Sequence, residues 1–202
     1  MIEELLKKYP LKSSMISEEQ LKALLLELIN TIESNIEGDI VELGCFMGIT
    51  SVYLKRVLEL YKTNKNLHVY DSFEGLPEKS EFDNSPPEYH KSALAVTEKR
   101  LIGYFKEKNV SLPIIHKGWF KNMDYPEKIS FAFIDSDFYQ STLDALTKVF
   151  PRMSRGGIIC IHDYDYPKLP GVKKACLDYF GKLDMIEKIG DCIVKIKICP
   201  IG

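Results

Sequence analysis

Residues 38–51, Gly-Asp-Ile-Val-Glu-Leu-Gly-Cys-Phe-Met-Gly-Ile-Thr-Ser, constrain this chain more than any other stretch. Ile40, Val41 and Leu43 form a short apolar run, which suits a parallel strand covered on both faces. Gly44 and Gly48 let the backbone turn tightly and approach a ligand, because neither carries a Cβ. Thr50 or Ser51 then opens a helix whose free N–H groups point back at the turn. Glu42 sets a carboxylate beside the crevice, and ligands of open α/β sheets bind at the carboxyl ends of strands. Glycine turns of this kind also occur for packing alone, so other parts of the chain have to identify the ligand.

The dinucleotide fingerprint G-x-G-x-x-G is absent, since position 46 is Phe and the spacing is Gly44-x-x-x-Gly48. The pattern E-x-G-x-x-x-G resembles instead the class I methyltransferases that bind S-adenosylmethionine.

A chain of 202 residues with 45% hydrophobic content holds one sizeable core. A net charge of −2 gives no electrostatic case for nucleic acid or for an anionic membrane surface. No apolar run reaches the length of a membrane span, and the start, Met1 to Lys8, is too charged for a secretory signal. The five cysteines include no C-x-x-C pair and sit mostly in apolar runs, which points to free thiols in the cytoplasm.

Residues 1–36 read as a lead-in and a helix, and residues 37–202 as the ligand-binding domain. Ser17-Glu18-Glu19-Gln20 is a capping box, followed by Leu21, Leu24, Leu25, Leu28, Ile29 and Ile32 at helical spacing over 17–35. That apolar face packs either on the sheet or on a second subunit of a homodimer. A helix over about 49–62 follows the first strand. Further strands are expected at 67–71, 112–116, 129–135 and 158–162, the last led in by a turn at Gly156-Gly157. Residues 78–90 carry Pro86-Pro87 and no periodicity, which predicts a mobile loop long enough to be a lid. Helices are expected over about 91–107, after Asp135, and from Pro170. Residues 185–198 read as a β-hairpin turning at Gly190-Asp191. The alternation implies an α/β fold with a mostly parallel sheet, closed by an antiparallel hairpin strand.

Polar residues end successive strands: Glu42, Asp71, Gly118-Trp119, Asp135 with Asp137, and His162 with Asp163. In a parallel sheet these ends share one edge. Asp71 suits the two hydroxyls of a ribose, whether of S-adenosylmethionine or of NAD. Trp119 either stacks on adenine or caps the core. Asp135, His162 and Asp163 offer oxygen and imidazole ligands for a divalent cation with open positions; a surface ion cluster is the alternative. His68, His90 and His116 lack such company and read as structural or solvated.

From Ser14 to Phe180 the chain resembles the macrocin O-methyltransferase family, class I enzymes that methylate sugar hydroxyls on natural products. The resemblance rests on Ser14-Met15-Ile16, Val41-Glu42-Leu43-Gly44 with Gly48, Asp71-Ser72-Phe73-Glu74-Gly75-Leu76-Pro77, and Gly118-Trp119-Phe120. It continues through Asp135-Ser136-Asp137-x-Tyr139-x-Ser141-Thr142 and Gly156-Gly157 leading to Asp163-Tyr164. It implies a Rossmann-like class I methyltransferase sandwich with a seven-stranded sheet. It also implies cofactor contacts from Ser14, Glu42, Gly44, Gly48, Asp71, Ser72 and Trp119, and a Mg2+ site at Asp135 and positions 162–163. The family's Asp-Asp-Tyr is His162-Asp163-Tyr164 here. Imidazole suits Mg2+ less well than oxygen does, so another divalent ion such as manganese enters, or a metal-free site with His162 as base.

The expected function is O-methylation of a small-molecule sugar or polyol hydroxyl. A metal on Asp135, His162 and Asp163 would lower the acceptor's pKa, and Asp137 or His162 would accept its proton. A metal-independent methyltransferase and a non-catalytic methyltransferase-like binding protein are the alternatives. A nicotinamide oxidoreductase is disfavoured, because both G-x-G-x-x-G and a Tyr-x-x-x-Lys pair are missing.

Overall fold

Short apolar runs alternate with amphipathic stripes from residue 39 onward, and each run forms a strand. The computed structural model describes residues 1–181 and 184–199. The strands are β1 (Asp39–Leu43), β2 (Leu67–Asp71), β3 (Ile114–Lys117), β4 (Ile129–Ile134), β5 (Met153–His162), β6 (Ile186–Gly190) and β7 (Ile193–Lys197). The helices are α1 (Ile2–Lys8), α2 (Glu18–Glu33), α3 (Ile49–Leu60), α4 (Glu98–Glu107), α5 (Tyr139–Val149) and α6 (Pro170–Phe180). One seven-stranded sheet runs in the order β3-β2-β1-β4-β5-β7-β6. Neighbours from β3 to β5 are parallel, and β7 lies antiparallel between β5 and β6. The chain steps outward from β1 to β3 and then crosses back to β4. The reversal between β1 and β4 opens a crevice at their carboxyl ends.

Alternate strand residues feed two cores. Ile40, Phe131, Phe133, Ile158 and Cys160 face one side, with Leu21, Leu24, Leu25 and Leu28 of α2. Val41, Leu43, Ala132, Ile134, Ile159 and Ile161 face the other, with Ala145, Leu146 and Val172 from α5 and α6. The apolar face of α2 is therefore buried on the sheet side of the molecule. Its start carries the expected capping box between Ser17 and Gln20.

Several boundaries differ from the sequence reading. The helix expected over 91–107 begins only at Glu98, capped by the Thr97 side chain, which accepts from the Arg100 N–H. Ser92 and Leu94 hold φ of 64° and 61°, a left-handed backbone that breaks any helix there. α3 starts at Ile49, as the expected span of about 49–62 has it, and its left-handed N-cap is Gly48 rather than Thr50 or Ser51. β5 starts at Met153, so Gly156-Gly157 lies within the strand, beside a register shift against β4. The hairpin turns one residue later, at Asp191-Cys192, with Cys192 at φ 51°. The 78–90 segment, expected to be mobile, carries its own bonds: Lys79 Nζ donates to the Ser85 carbonyl at 2.7 Å, and the Tyr89 N–H to Pro86 at 3.1 Å.

Candidate functional site

The β1–α3 turn begins the site. Gly44 has φ 89°, and a Cβ there would lie 1.8 Å from the Asp135 carbonyl oxygen. Only glycine lets this turn lie against the end of β4, so the two halves of the crevice touch here. Gly48 does different work: its Cβ would meet Phe105 Cε2 at 3.0 Å and Leu101 Cγ at 3.3 Å, on the α4 side. Gly48 shapes the helix start and does not line the cavity.

Asp71 closes β2 and ties two turns together. Its Oδ2 accepts the Phe46 N–H and its Oδ1 the Phe73 N–H, both at 2.8 Å. Phe46 and Phe73 have φ of 45° and 56°, so the carboxylate holds both turns in left-handed backbone. Burial raises the Asp71 pKa, the two N–H groups oppose that rise, and Asp135 adds to it. The buried Ser72 hydroxyl accepts the Glu74 N–H at 3.0 Å and donates to the Gly75 carbonyl at 3.1 Å.

Glu42 is 1% exposed, and its Oε2 has no hydrogen-bond partner among the described residues. Burial pushes its carboxyl up to about 8; Ser51 opposes the rise, while Asp135 and Asp71 add to it. A buried carboxyl with a spare oxygen facing a cavity is made for a ligand's hydrogen-bond donor.

On the other side of the crevice, His162 Nδ1 stands 3.1 Å from Asp135 Oδ1 and 3.2 Å from Asp163 Oδ2. The ring is buried, Phe133 meets it edge-on, and Nε2 is unpartnered among the described residues. Burial acts to lower its pKa, but Asp135 and Asp163 outweigh that and hold it well above the ordinary imidazole value. Burial raises Asp163, with His162 opposing. Asp137, at φ 60°, has its carboxyl raised well above the usual range, first by burial and then by Asp135 and Asp163. One ligand atom each from Asp135, His162 and Asp163 lies within 4.8 Å of the others, as a metal-binding set requires.

These residues share one cavity of about 320 Å³, a size that suits a small ligand. Glu42, Gly44, Asp71, Ser72, Trp119, Asp135, Asp137, His162 and Asp163 all line it. Trp119 does so half-buried, outside both hydrophobic clusters, so it does not cap the core. Ser14 is exposed and does not line the cavity, whereas its neighbours Ser13 and Met15 do. Sequence reasoning also passed over Phe46, Lys121, Gln140 and Asp144. The last two were visible in principle as polar positions opposite the Thr142–Leu146–Val149 stripe of α5. His68 and His116 stand apart on β2 and β3, joined Nδ1 to Nε2 at 2.9 Å, and His90 is exposed.

Residues 7–196 match the family model described as macrocin-O-methyltransferase (TylF). The chain is 29% identical over 171 residues to the 8-demethyl-8-(2,3-dimethoxy-alpha-L-rhamnosyl)-tetracenomycin-C 4'-O-methyltransferase of Streptomyces olivaceus. It is 28% identical over 171 residues to the demethyldecarbamoylnovobiocin O-methyltransferase of Streptomyces niveus. Both alignments take in 79% of this chain and 64% of the relative, so the chain spans less than two thirds of these curated relatives. Among solved structures, the O-methyltransferase NovP superposes with a TM-score of 0.82 at 26% identity, over 93% of this chain and 82% of NovP. The calicheamicin methyltransferase CalS11 shares the fold, with a TM-score of 0.74 at 19% identity, over 97% of this chain and 89% of CalS11.

Proposed function

The chain belongs to the macrocin-O-methyltransferase (TylF) family, and from that premise we propose that it methylates a hydroxyl of a sugar or another vicinal diol, using S-adenosylmethionine. One observation carries the reading. A single cavity is lined both by a nucleoside-type carboxylate, Asp71, and by the Asp135–His162–Asp163 donor set. Small glycoside acceptors fit this reading, because the name of the Streptomyces olivaceus relative specifies a rhamnosyl-bearing substrate. Five free thiols suit a reducing compartment such as the cytoplasm, and no described helix is long and apolar enough to cross a membrane.

S-Adenosylmethionine, when bound, supplies an activated methyl on a sulfonium sulfur. Asp71 would take the ribose hydroxyls: each of its oxygens accepts one backbone N–H and keeps a second lone pair. The spare Glu42 oxygen would take the ammonium of the amino-acid end, beside the Gly44 turn. Trp119 would stack on adenine.

The donor set of two carboxylates and one imidazole fits a divalent cation, Mg2+ or another, with open positions for the acceptor. Such an ion would supply Lewis acidity to the acceptor hydroxyl. Asp137, which lines the same cavity beside the donor set, would accept the hydroxyl's proton. A metal-free variant of the reaction has its own supporting observation: two carboxylates hold His162 Nδ1, which leaves Nε2, unpartnered among the described residues, as the atom that would take the proton.

Calorimetry with S-adenosylhomocysteine tests the first step. Binding is expected, and Asp71→Ala should weaken it by about tenfold or more, because a charged acceptor lining the cavity is lost. No heat of binding to the native protein would overturn the reading. Loss of turnover on a glycoside panel with EDTA, restored by a divalent ion, favours the metal-assisted form; indifference to EDTA favours His162.

A further inference from the structure

The segment between Leu76 and Ala93 is closed at its base, where the Leu76 N–H donates to the Ala93 carbonyl and the Ser92 N–H to the Leu76 carbonyl, both at 2.8 Å. From that base, on the cofactor side of the crevice, the segment crosses to α5 and α6. Its contact there is made by Asp83, which is 4% exposed although it lies in a loop. Asp83 Oδ2 accepts the Ser80 N–H at 2.8 Å and the Ser80 hydroxyl at 2.6 Å. Its Oδ1 accepts the N–H of Tyr139, the first residue of α5, at 2.8 Å. The local N-cap of α5 is Phe138, whose side chain cannot accept this bond. A carboxylate 56 residues upstream therefore caps the helix and sits at the positive end of its dipole.

The rest of the contact is built around that carboxylate. A Cβ on Gly171, in the first turn of α6, would lie 2.0 Å from Asp83 Oδ1 and 2.8 Å from the Tyr139 nitrogen. Any residue larger than glycine at this position would displace the carboxylate. The Phe82 ring packs on Tyr139 at 4.5 Å between centroids, and Lys174 of α6 stands 4.8 Å over Phe82. The helix capped in this way begins two residues after Asp137, and its start carries the backbone that presents Asp135 and Asp137 to the cavity. Further along the same loop, Lys168 pairs with Glu88 at 3.4 Å, and Tyr89 stands near Asp137 and Asp163.

We propose that Asp83 is a positioning residue: by capping α5 from the loop, it fixes in one contact both the 78–92 loop beside the acceptor end and the backbone that presents Asp135 and Asp137. The proposal rests on the methyltransferase reading for the meaning of that end, but its structural core can be tested separately. Amide hydrogen exchange is measured on the native protein and on Asp83→Ala, Gly171→Ala and Asp83→Asn. Both alanine variants should speed exchange by about tenfold at 78–92 and at 135–141 together, with β1 and β4 unchanged, since losing a cap frees the first turn. Asp83→Asn, which keeps one acceptor oxygen, should lie between. In the same proteins Mn2+ affinity should fall by about tenfold, while S-adenosylhomocysteine affinity stays within about twofold. Faster exchange confined to 78–92, or a Gly171→Ala protein indistinguishable from native, overturns the proposal. If the native protein binds no Mn2+, the metal-assisted reading fails, and the exchange comparison alone decides the role of Asp83.

Discussion

At the scale of a single residue, His162 decides what kind of site this is. Its Nδ1 lies 3.1 and 3.2 Å from oxygens of Asp135 and Asp163, so the three side chains would hold a divalent ion together. Two oxygens and one imidazole nitrogen are a mixed donor set, and nitrogen favours manganese or cobalt over magnesium. The expected outcome is tighter binding of Mn2+ than of Mg2+ by the native protein. His162→Asp should move the ratio of the two affinities toward Mg2+ by about tenfold, as an all-oxygen set would. Calorimetric titration of each ion into both proteins reads this directly, and an unchanged ratio would show that His162 does not ligate. The position was legible in the sequence because imidazole stands there between apolar strand and Asp163. The neighbouring contributions were harder to read: Phe46 enters through its backbone N–H to Asp71, and no side-chain pattern announces a backbone donor.

At the scale of the element, the sequence located the seven described strands and the helices from α2 to α6, and its boundary errors share one cause. Period and apolar content reveal where an element exists, but its ends depend on backbone conformation. The helix expected over 91–107 takes in Leu94; at φ 61° this residue lies before the helix and packs on the opposite core from Leu101 and Phe105. Thr97 was the missed signal, a capping residue three positions before Arg100, whose N–H it accepts. Asp83 was unreadable for the opposite reason, since its partner lies 56 residues away and no local rule reports it. The β1–α3 turn allows a sharper test of element-level packing. Gly48→Ala would force a side chain into left-handed backbone and push a Cβ to 3.0 Å from Phe105. Strain and overpacking together should cost about 2–3 kcal/mol in denaturant unfolding. Gly48 does not line the cavity, so ligand affinity should fall less than stability does. Full loss of S-adenosylhomocysteine binding in a protein of native stability would reverse that assignment.

At the scale of the whole molecule, the parallel sheet gathers its strand ends at one edge, and folding buries several carboxyls there together. Glu42, Asp71, Asp137 and Asp163 all have pKa values raised, and burial is the leading cause for each. The same concentration of acids that makes a ligand site makes the empty protein pH-sensitive. Glu42 gives the clearest case, moving from an ordinary value of 4.5 to about 8. A group raised on folding binds its proton more tightly in the native state than in the unfolded chain. Its contribution is therefore fully present below the unfolded value and is lost as pH rises through about 8, at about 1.4 kcal/mol for each unit crossed. Thermal unfolding of the ligand-free protein should show a Tm that falls from pH 5 to pH 8. Glu42→Gln keeps the shape and removes the ionisation, so its Tm should decline less over the same range and overtake the native value toward pH 8. A ligand that brings an ammonium to the spare Glu42 oxygen favours the ionised form, so S-adenosylhomocysteine should raise the native Tm more at pH 8 than at pH 5. Parallel Tm profiles for the native and Glu42→Gln proteins would mean that the buried carboxyl does not govern the stability of the strand-end cluster.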